Sequence, residues 1–229
     1  MTHNTQDLGI NSTSKEGAVK MHAVSKMLQE KAAHFEQELL EGFAAVQKYE
    51  KTVTFFGSAR LQPDNQYYQQ AQELSARICK KGYTVITGGG GGIMEAGNRG
   101  SQQACNNGVG FNIELPMEQA TNRYVTDSVN FTFFASRKMA LYFSGEAYVF
   151  FPGGYGTLDE FFQILTLLQT HKAPYAPVIC VGSAYWNPVM HFAQTILLET
   201  HSTISPEDLN LFTITDDLDE VERIIESAN

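Results

Sequence analysis

The 229-residue sequence predicts an α/β fold: a doubly wound, Rossmann-like and mostly parallel sheet preceded by an N-terminal helical extension. Three observations carry this. From residue 51 onward, short apolar runs alternate with amphipathic stretches of helical length. Glycine clusters directly follow two of those runs, at 88–92 and 153–156. Before residue 51, apolar residues recur at spacings of three and four with no strand-like run among them.

Residues 1 to about 16 are polar and rich in Ser, Thr and Asn, and are expected to be loose. A helix follows to about Tyr49, with an apolar stripe of Leu28, Ala32, Phe35, Leu39, Phe43 and Val46. Two readings of that stripe stay open: packing on its own domain, or a contact between copies. Strands are expected at 53–56, 84–87, 109–113, 147–151, 178–181 and 212–214, with helices near 65–80, 93–106, 136–144, 158–169, 184–198 and 217–227. The domain division is therefore 1–50 for the extension and 51–229 for the sheet domain. In such sheets ligands sit beyond the carboxyl ends of the strands, where the strand order reverses.

Composition narrows the function. Hydrophobic residues make up 43% and charged residues 18%, which is ordinary for a globular chain. The net charge of −9, with no Lys/Arg run longer than two, argues against a nucleic-acid polymer as ligand. A small phosphorylated ligand remains compatible. No apolar run approaches the about 18 residues needed to span a membrane, and the N-terminus lacks a secretory h-region. Cys79, Cys105 and Cys180 are odd in number, widely spaced and without a CxxC pair, so no disulfide framework or zinc site is expected. The expectation is a cytoplasmic protein.

Two glycine loops and one basic turn are the candidate chemistry. Five glycines, Gly88 to Gly92, follow a strand and open a helix, but fit neither GxGxxG nor the P-loop pattern. They serve either close backbone packing or close approach to a ligand. The second loop, Pro152-Gly153-Gly154-Tyr155-Gly156-Thr157, also opens a helix, whose first amides and positive dipole end suit a phosphate. That helix carries Leu158, Phe161, Phe162, Leu165 and Leu168 on one face, the expected core side. Glu160 admits two readings: the return partner of a Thr157-x-x-Glu160 capping box, or an acid for proton or charge chemistry. Arg137 and Lys138 lie in the first turn of a helix, against its dipole, so a neighbouring carboxylate or a bound phosphate must compensate. The six histidines are scattered, no HExxH or GxSxG occurs, and neither a metal nor a cofactor is expected.

The run from Pro152 to Glu160 resembles the PGGxGTxxE signature of the Lonely Guy family, phosphoribohydrolases once misnamed lysine decarboxylases. Gly57-Ser58-Ala59-Arg60, the glycine run with Ile93-Met94-Glu95-Ala96, Arg137-Lys138, and Pro177-Val178 followed by Tyr185-Trp186 resemble further landmarks in family order. The likeness covers about 52–225. It implies hydrolysis of the N-glycosidic bond of adenosine 5′-monophosphate or an N6-substituted relative, giving free base and ribose 5-phosphate. By the same likeness, Arg137 and Glu160 form the catalytic pair, and Gly153, Gly154, Gly156 and Thr157 hold the substrate phosphate. Tyr155, Lys138, Thr166, Glu118, Gly89, Gly90, Met94 and Ser58 join them as substrate contacts, and a homodimer is the implied minimum assembly. The fold also resembles molybdenum-cofactor carriers, so a non-catalytic binding protein is the alternative.

Overall fold

A computed structural model of the protein describes residues 15–114 and 121–228, with side chains from residue 26 onward. The chain divides into two units, Met1–Gln37 and Glu38–Asn229. The division falls inside a long helix, α1 (Lys15–Val46). In the first unit Met27 and Leu28 are exposed.

The second unit, from Glu38 on, holds the sheet. Its strands are β1 (Thr52–Phe56), β2 (Thr84–Thr87), β3 (Gly108–Ile113), β4 (Asp127–Phe131), β5 (Ala147–Phe150), β6 (Val178–Val181) and β7 (Thr213–Thr215). Between them run α2 (Gln66–Lys80), α3 (Ile93–Cys105), α4 (Phe134–Tyr142), α5 (Tyr155–Gln169), α6 (Ser183–Phe192) and, last, α7 (Leu218–Ser227). A π-helix, Ala193–Thr200, continues α6. The strands lie in the order β4-β3-β2-β1-β5-β6-β7, and every adjacent pair is parallel. The order therefore reverses between β1 and β5.

The central strands read as near-continuous apolar runs because both faces are covered. On β1, Val53 and Phe55 face one core, and Phe56 faces the other. On β5, Val149 joins the first set and Phe150 the second. Phe56 and Phe150 are register partners with rings stacked 4.6 Å apart. The face beneath α4, α5 and α6 is strongly aromatic: Phe161 lies 4.8 Å from Trp186, 5.1 Å from Phe212 and 5.4 Å from Phe150. The Thr54 hydroxyl, buried in mid-strand, is satisfied by Ser144 at 2.9 Å.

Three local expectations are corrected. Strand β4 was not expected: its sequence, DSVNF, is polar because it is a sheet edge with mostly uncovered side chains. The buried face of α5 is Thr157, Phe161, Ile164 and Leu168, whereas Phe162, read as core, is 42% exposed. Cys79 and Cys105 are joined as a disulfide with Cα atoms 6.2 Å apart. Packing of α2 on α3 brings them together, with Gly100 lying against the backbone of Gln72, and a spacing of 26 residues carries no signal of that. Among the described residues no helix is long and apolar enough to cross a membrane.

Truncating Phe161 to alanine should cost about 3–5 kcal/mol, as for other large buried aromatics. Urea unfolding would read this as a lower midpoint at unchanged slope. A loss under about 1 kcal/mol would mean that the aromatic cluster collapses around the gap.

Candidate active site

The loops that leave β1 and β5 meet at the reversal point, and a cleft of about 830 Å³ opens there. Gly57 to Leu61 form one wall and Pro152 to Thr157 another; Met94, Phe134, Arg137, Glu160 and Tyr185 complete it. Ser58 knots the walls together. Its amide donates to the Pro152 carbonyl at 3.0 Å, its carbonyl accepts from Ile93 at 3.0 Å, and its hydroxyl accepts from the Arg60 amide at 3.1 Å. The Tyr185 hydroxyl secures the second wall by donating to the Gly153 carbonyl at 2.8 Å.

The two glycine loops have different reasons for being glycine. In the first, Gly92 has φ +63°, and a side chain there would overlap the backbone of Ser58 and Ala59. The N-terminus of α3 is thus filled by the chain's own atoms, with the Ile93 amide bound to Ser58. Gly89 and Gly90 are not among the cleft-lining residues, and their carbonyls accept the Asn122 amide at 3.1 and 2.9 Å. In the second loop, a Cβ on Gly154 or Gly156 would meet nothing within 4 Å. Gly156 lies inside the first turn of α5, where glycine costs up to about 1 kcal/mol relative to alanine. No side chain caps that helix, so its first amides, in residues that line the cleft, have no side-chain acceptor. Packing within the chain explains the first loop and, in the second, Gly153, whose Cβ would overlap the Thr157 side chain; it does not explain Gly154 or Gly156.

The N-cap of α5 is Gly154, which places Thr157 at the third helical position rather than at the cap. The capping-box reading of Glu160 is thereby excluded. One turn on from Thr157, Glu160 lies toward the covered side of the helix, and its side chain is only 15% exposed. Arg137, 8% exposed, faces it with Nη1 3.9 Å from Oε1, which is too long for a hydrogen bond and leaves both groups able to engage a third. The guanidinium is anchored by donating from Nε to the Phe111 carbonyl at 2.7 Å and from Nη2 to the Gly88 carbonyl at 3.4 Å. Burial lowers the Arg137 pKa, and the charge of Glu160 opposes that fall. Glu160 is pushed up to about 7, first by burial and then by Asp159, against the pull of Arg137 and Lys138.

Of the residues expected at the site, the cleft gathers Arg137, Glu160, Gly153, Gly154, Tyr155, Gly156, Thr157, Met94 and Ser58. Others lie elsewhere. Lys138 pairs with Asp159 and lines a separate cavity with Phe134, Met139 and Tyr142. Thr166 donates to the Phe162 carbonyl at 2.7 Å and borders an apolar cavity beneath the π-helix. Glu118 lies outside the described residues. Sequence reasoning missed Tyr185 and Arg60 as cleft residues, and missed the buried pair Asn98 and Asn122. The Asn98 Oδ1 accepts from the Thr87 hydroxyl at 2.7 Å and from Asn122 at 3.0 Å, which braces the first glycine loop. Asn98, on the helix that the glycine run opens, was the available signal; Asn122, in a polar stretch, gave none.

The carboxyl of Glu160 gives a test of the electrostatics. Its pKa is raised in the folded chain, so the native state holds that proton more tightly than the unfolded state does. Native stability from this group is present at low pH and is lost as pH rises through the raised value, about 7. Glu160→Gln should therefore gain thermal stability relative to the parent between pH 5 and pH 8. A melting-temperature difference that stays flat across that range would contradict the buried assignment.

Residues 94–225, over half the chain, match the family model described as "Possible lysine decarboxylase". The cytokinin riboside 5′-monophosphate phosphoribohydrolase LOG of Oryza sativa subsp. japonica is 24% identical over 156 residues, covering 66% of this chain and 63% of that protein. The cytokinin riboside 5′-monophosphate phosphoribohydrolase of Mycobacterium tuberculosis is 31% identical over 120 residues, covering 47% of this chain and 60% of that protein. The match thus spans under two thirds of either relative. Among solved structures, the molybdenum cofactor carrier protein from Chlamydomonas reinhardtii superposes with a TM-score of 0.59 at 18% identity, covering 78% of this chain and 97% of that one. That likeness is one of fold.

Proposed function

The chain belongs to the possible-lysine-decarboxylase, or Lonely Guy, family, and from that premise we propose that it hydrolyses the N-glycosidic bond of adenosine 5′-monophosphate or an N6-substituted relative. The products are the free base and ribose 5-phosphate. The names of both curated relatives support the reaction class. The observation that carries the reading in this chain is the uncapped start of α5, framed by Gly154 and Gly156, which its own packing does not require, one turn from a buried Glu160 opposite Arg137.

The substrate phosphate binds at the amides of Tyr155, Gly156 and Thr157, with the positive helix end opposing its charge. The open space at Gly154 and Gly156 admits its oxygens to the backbone. Fixing the phosphate there spends remote binding energy on placing the ribose. Glu160 lies on the same helix, so its carboxylate takes the face of the sugar where positive charge develops as the bond to the base breaks. It also orients the water that completes hydrolysis. Arg137 opposes the effect of burial on Glu160, favouring its ionised form, and steadies negative charge beside it.

A carrier function has less support at this cleft. A protein that only holds an anionic ligand gains nothing from a buried carboxylate whose proton is retained to about 7. The assembly we infer is a homodimer, because Phe134, Met139 and Phe143 of the α4 region are 56%, 37% and 41% exposed, and Phe134 also borders the cleft. Light scattering should return twice the 25.4 kDa chain mass.

Incubation with AMP, isopentenyl-AMP and other nucleoside monophosphates should release free base, without added metal and with little turnover of the parent nucleosides. Glu160→Gln should lower kcat by at least about 10³-fold, as for removal of a charge-stabilising group. The acid limb of kcat/KM should fall near pH 7, since activity needs the ionised carboxylate. Equal turnover of nucleosides and nucleotides would remove the phosphate anchor, and tight nucleotide binding without base release would favour the carrier.

A further inference from the structure

Helix α4 carries Arg137, yet its start is built to be unstable by itself. The N-cap residue is Phe133, which offers no side-chain acceptor. Two cations, Arg137 and Lys138, stand at the fourth and fifth helical positions, near the positive end of the helix dipole. The compensating group is Glu38 of α1, 4% exposed. Its Oε1 accepts from the Thr132 amide at 2.7 Å, and its Oε2 accepts from the Phe133 amide at 3.2 Å and the Ser136 hydroxyl at 2.5 Å. Burial alone would push the Glu38 carboxyl up; the donors from Ser136, Thr132 and Phe133 together hold it below the usual range, so it is ionised at neutral pH.

A second tether lies four residues further along α1. A Cβ on Gly42 would come within 2.9 Å of the Ala140 Cβ and 3.0 Å of the Phe131 ring, so glycine lets the two helices approach this closely. Residues 38–46 of α1 therefore hold α4 at its first turn and again at Ala140, and Arg137 lies between those points. Neither Glu38 nor Gly42 falls within the family-matched stretch 94–225.

We propose that Glu38 is a positioning residue for Arg137: its carboxylate, held by Thr132, Phe133 and Ser136, fixes the first turn of α4 and so sets the guanidinium against Glu160. The proposal rests on reading Arg137 and Glu160 as the reacting pair. It gives the end of the N-terminal helix a part in the reaction although none of that helix's described residues lines the cleft. Neutralising Glu38 leaves buried donors opposed and the dipole end uncompensated next to two cations, and the first turn loosens. Arg137 then spends less time on the carbonyls of Phe111 and Gly88.

The readout is the Glu160 carboxyl itself, followed by carbon NMR in glutamate-labelled protein, with Glu160→Gln identifying its resonance. That carboxyl is faced by Arg137 and Lys138 from α4, by Asp159 from its own helix, and by the Tyr142 hydroxyl group. In Glu38→Gln, weaker coupling to Arg137 should raise its midpoint by about half a unit or more. The kcat for AMP should fall about tenfold while KM moves less than about threefold. Glu38→Asp should recover part of both changes. A merely structural role would scale the rate with the folded fraction and leave the midpoint unmoved; a folded Glu38→Gln with that result overturns the proposal. Should Glu38→Gln not fold, Ser136→Ala removes one donor only, and a smaller upward shift is expected; no shift again overturns it. Absence of base release from the parent protein on every mononucleotide would sink the proposed reaction instead, and the NMR midpoint still decides the role of Glu38.

Discussion

Strands β1 and β5 are neighbours in the sheet although three helices and three strands separate them in sequence. Their pairing, from Val53 with Ala147 to Phe56 with Phe150, is the constraint on which the cleft depends. It sends consecutive crossovers to opposite sides, and it ends both strands at the same level. The loop after Phe56 and the loop after Phe150 therefore emerge side by side, with no helix between them to fill the gap. The stacked rings of Phe56 and Phe150 set that level, and the Ser58-to-Pro152 hydrogen bond carries it into the loops.

Against this rigid frame the site itself is under electrostatic tension. Arg137 and Glu160 are both removed from water, at a separation that gives attraction without a full hydrogen bond. Desolvation of two ions costs more than a loose contact returns. The arrangement survives because the backbone supports it: carbonyls of Phe111 and Gly88 take the guanidinium, and the Asn98–Asn122 network holds the loop that supplies one of those carbonyls. Stability is spent where charge will be needed.

Much of this was legible in the residues. Alternating strand and helix patterns gave the parallel sheet, and glycines after a strand pointed to the α5 loop, because both signals are local. The parts that escaped are those whose cause lies far away in the chain. Strand β4 was hidden because an edge strand needs few apolar residues. The question posed by two cations at the start of α4 was visible, but the choice between carboxylate and phosphate was not, since Glu38 lies some 95 residues earlier than its partners Thr132 and Phe133. The capping-box reading of Glu160 fell for a related reason. It turned on whether α5 begins at Gly154 or at Thr157, and sequence patterns place helix ends poorly.

The order of the strands also bears on where this chain can be cut. The stretch matched by the family model begins at residue 94, after β1 and β2, which occupy the middle of the sheet. A fragment with those bounds would keep β3 and β4 on one side and β5, β6 and β7 on the other, with two empty lanes between. A stretch that is contiguous along the polypeptide is therefore split in space, and the missing lanes must come from the residues before it if the sheet is to be continuous.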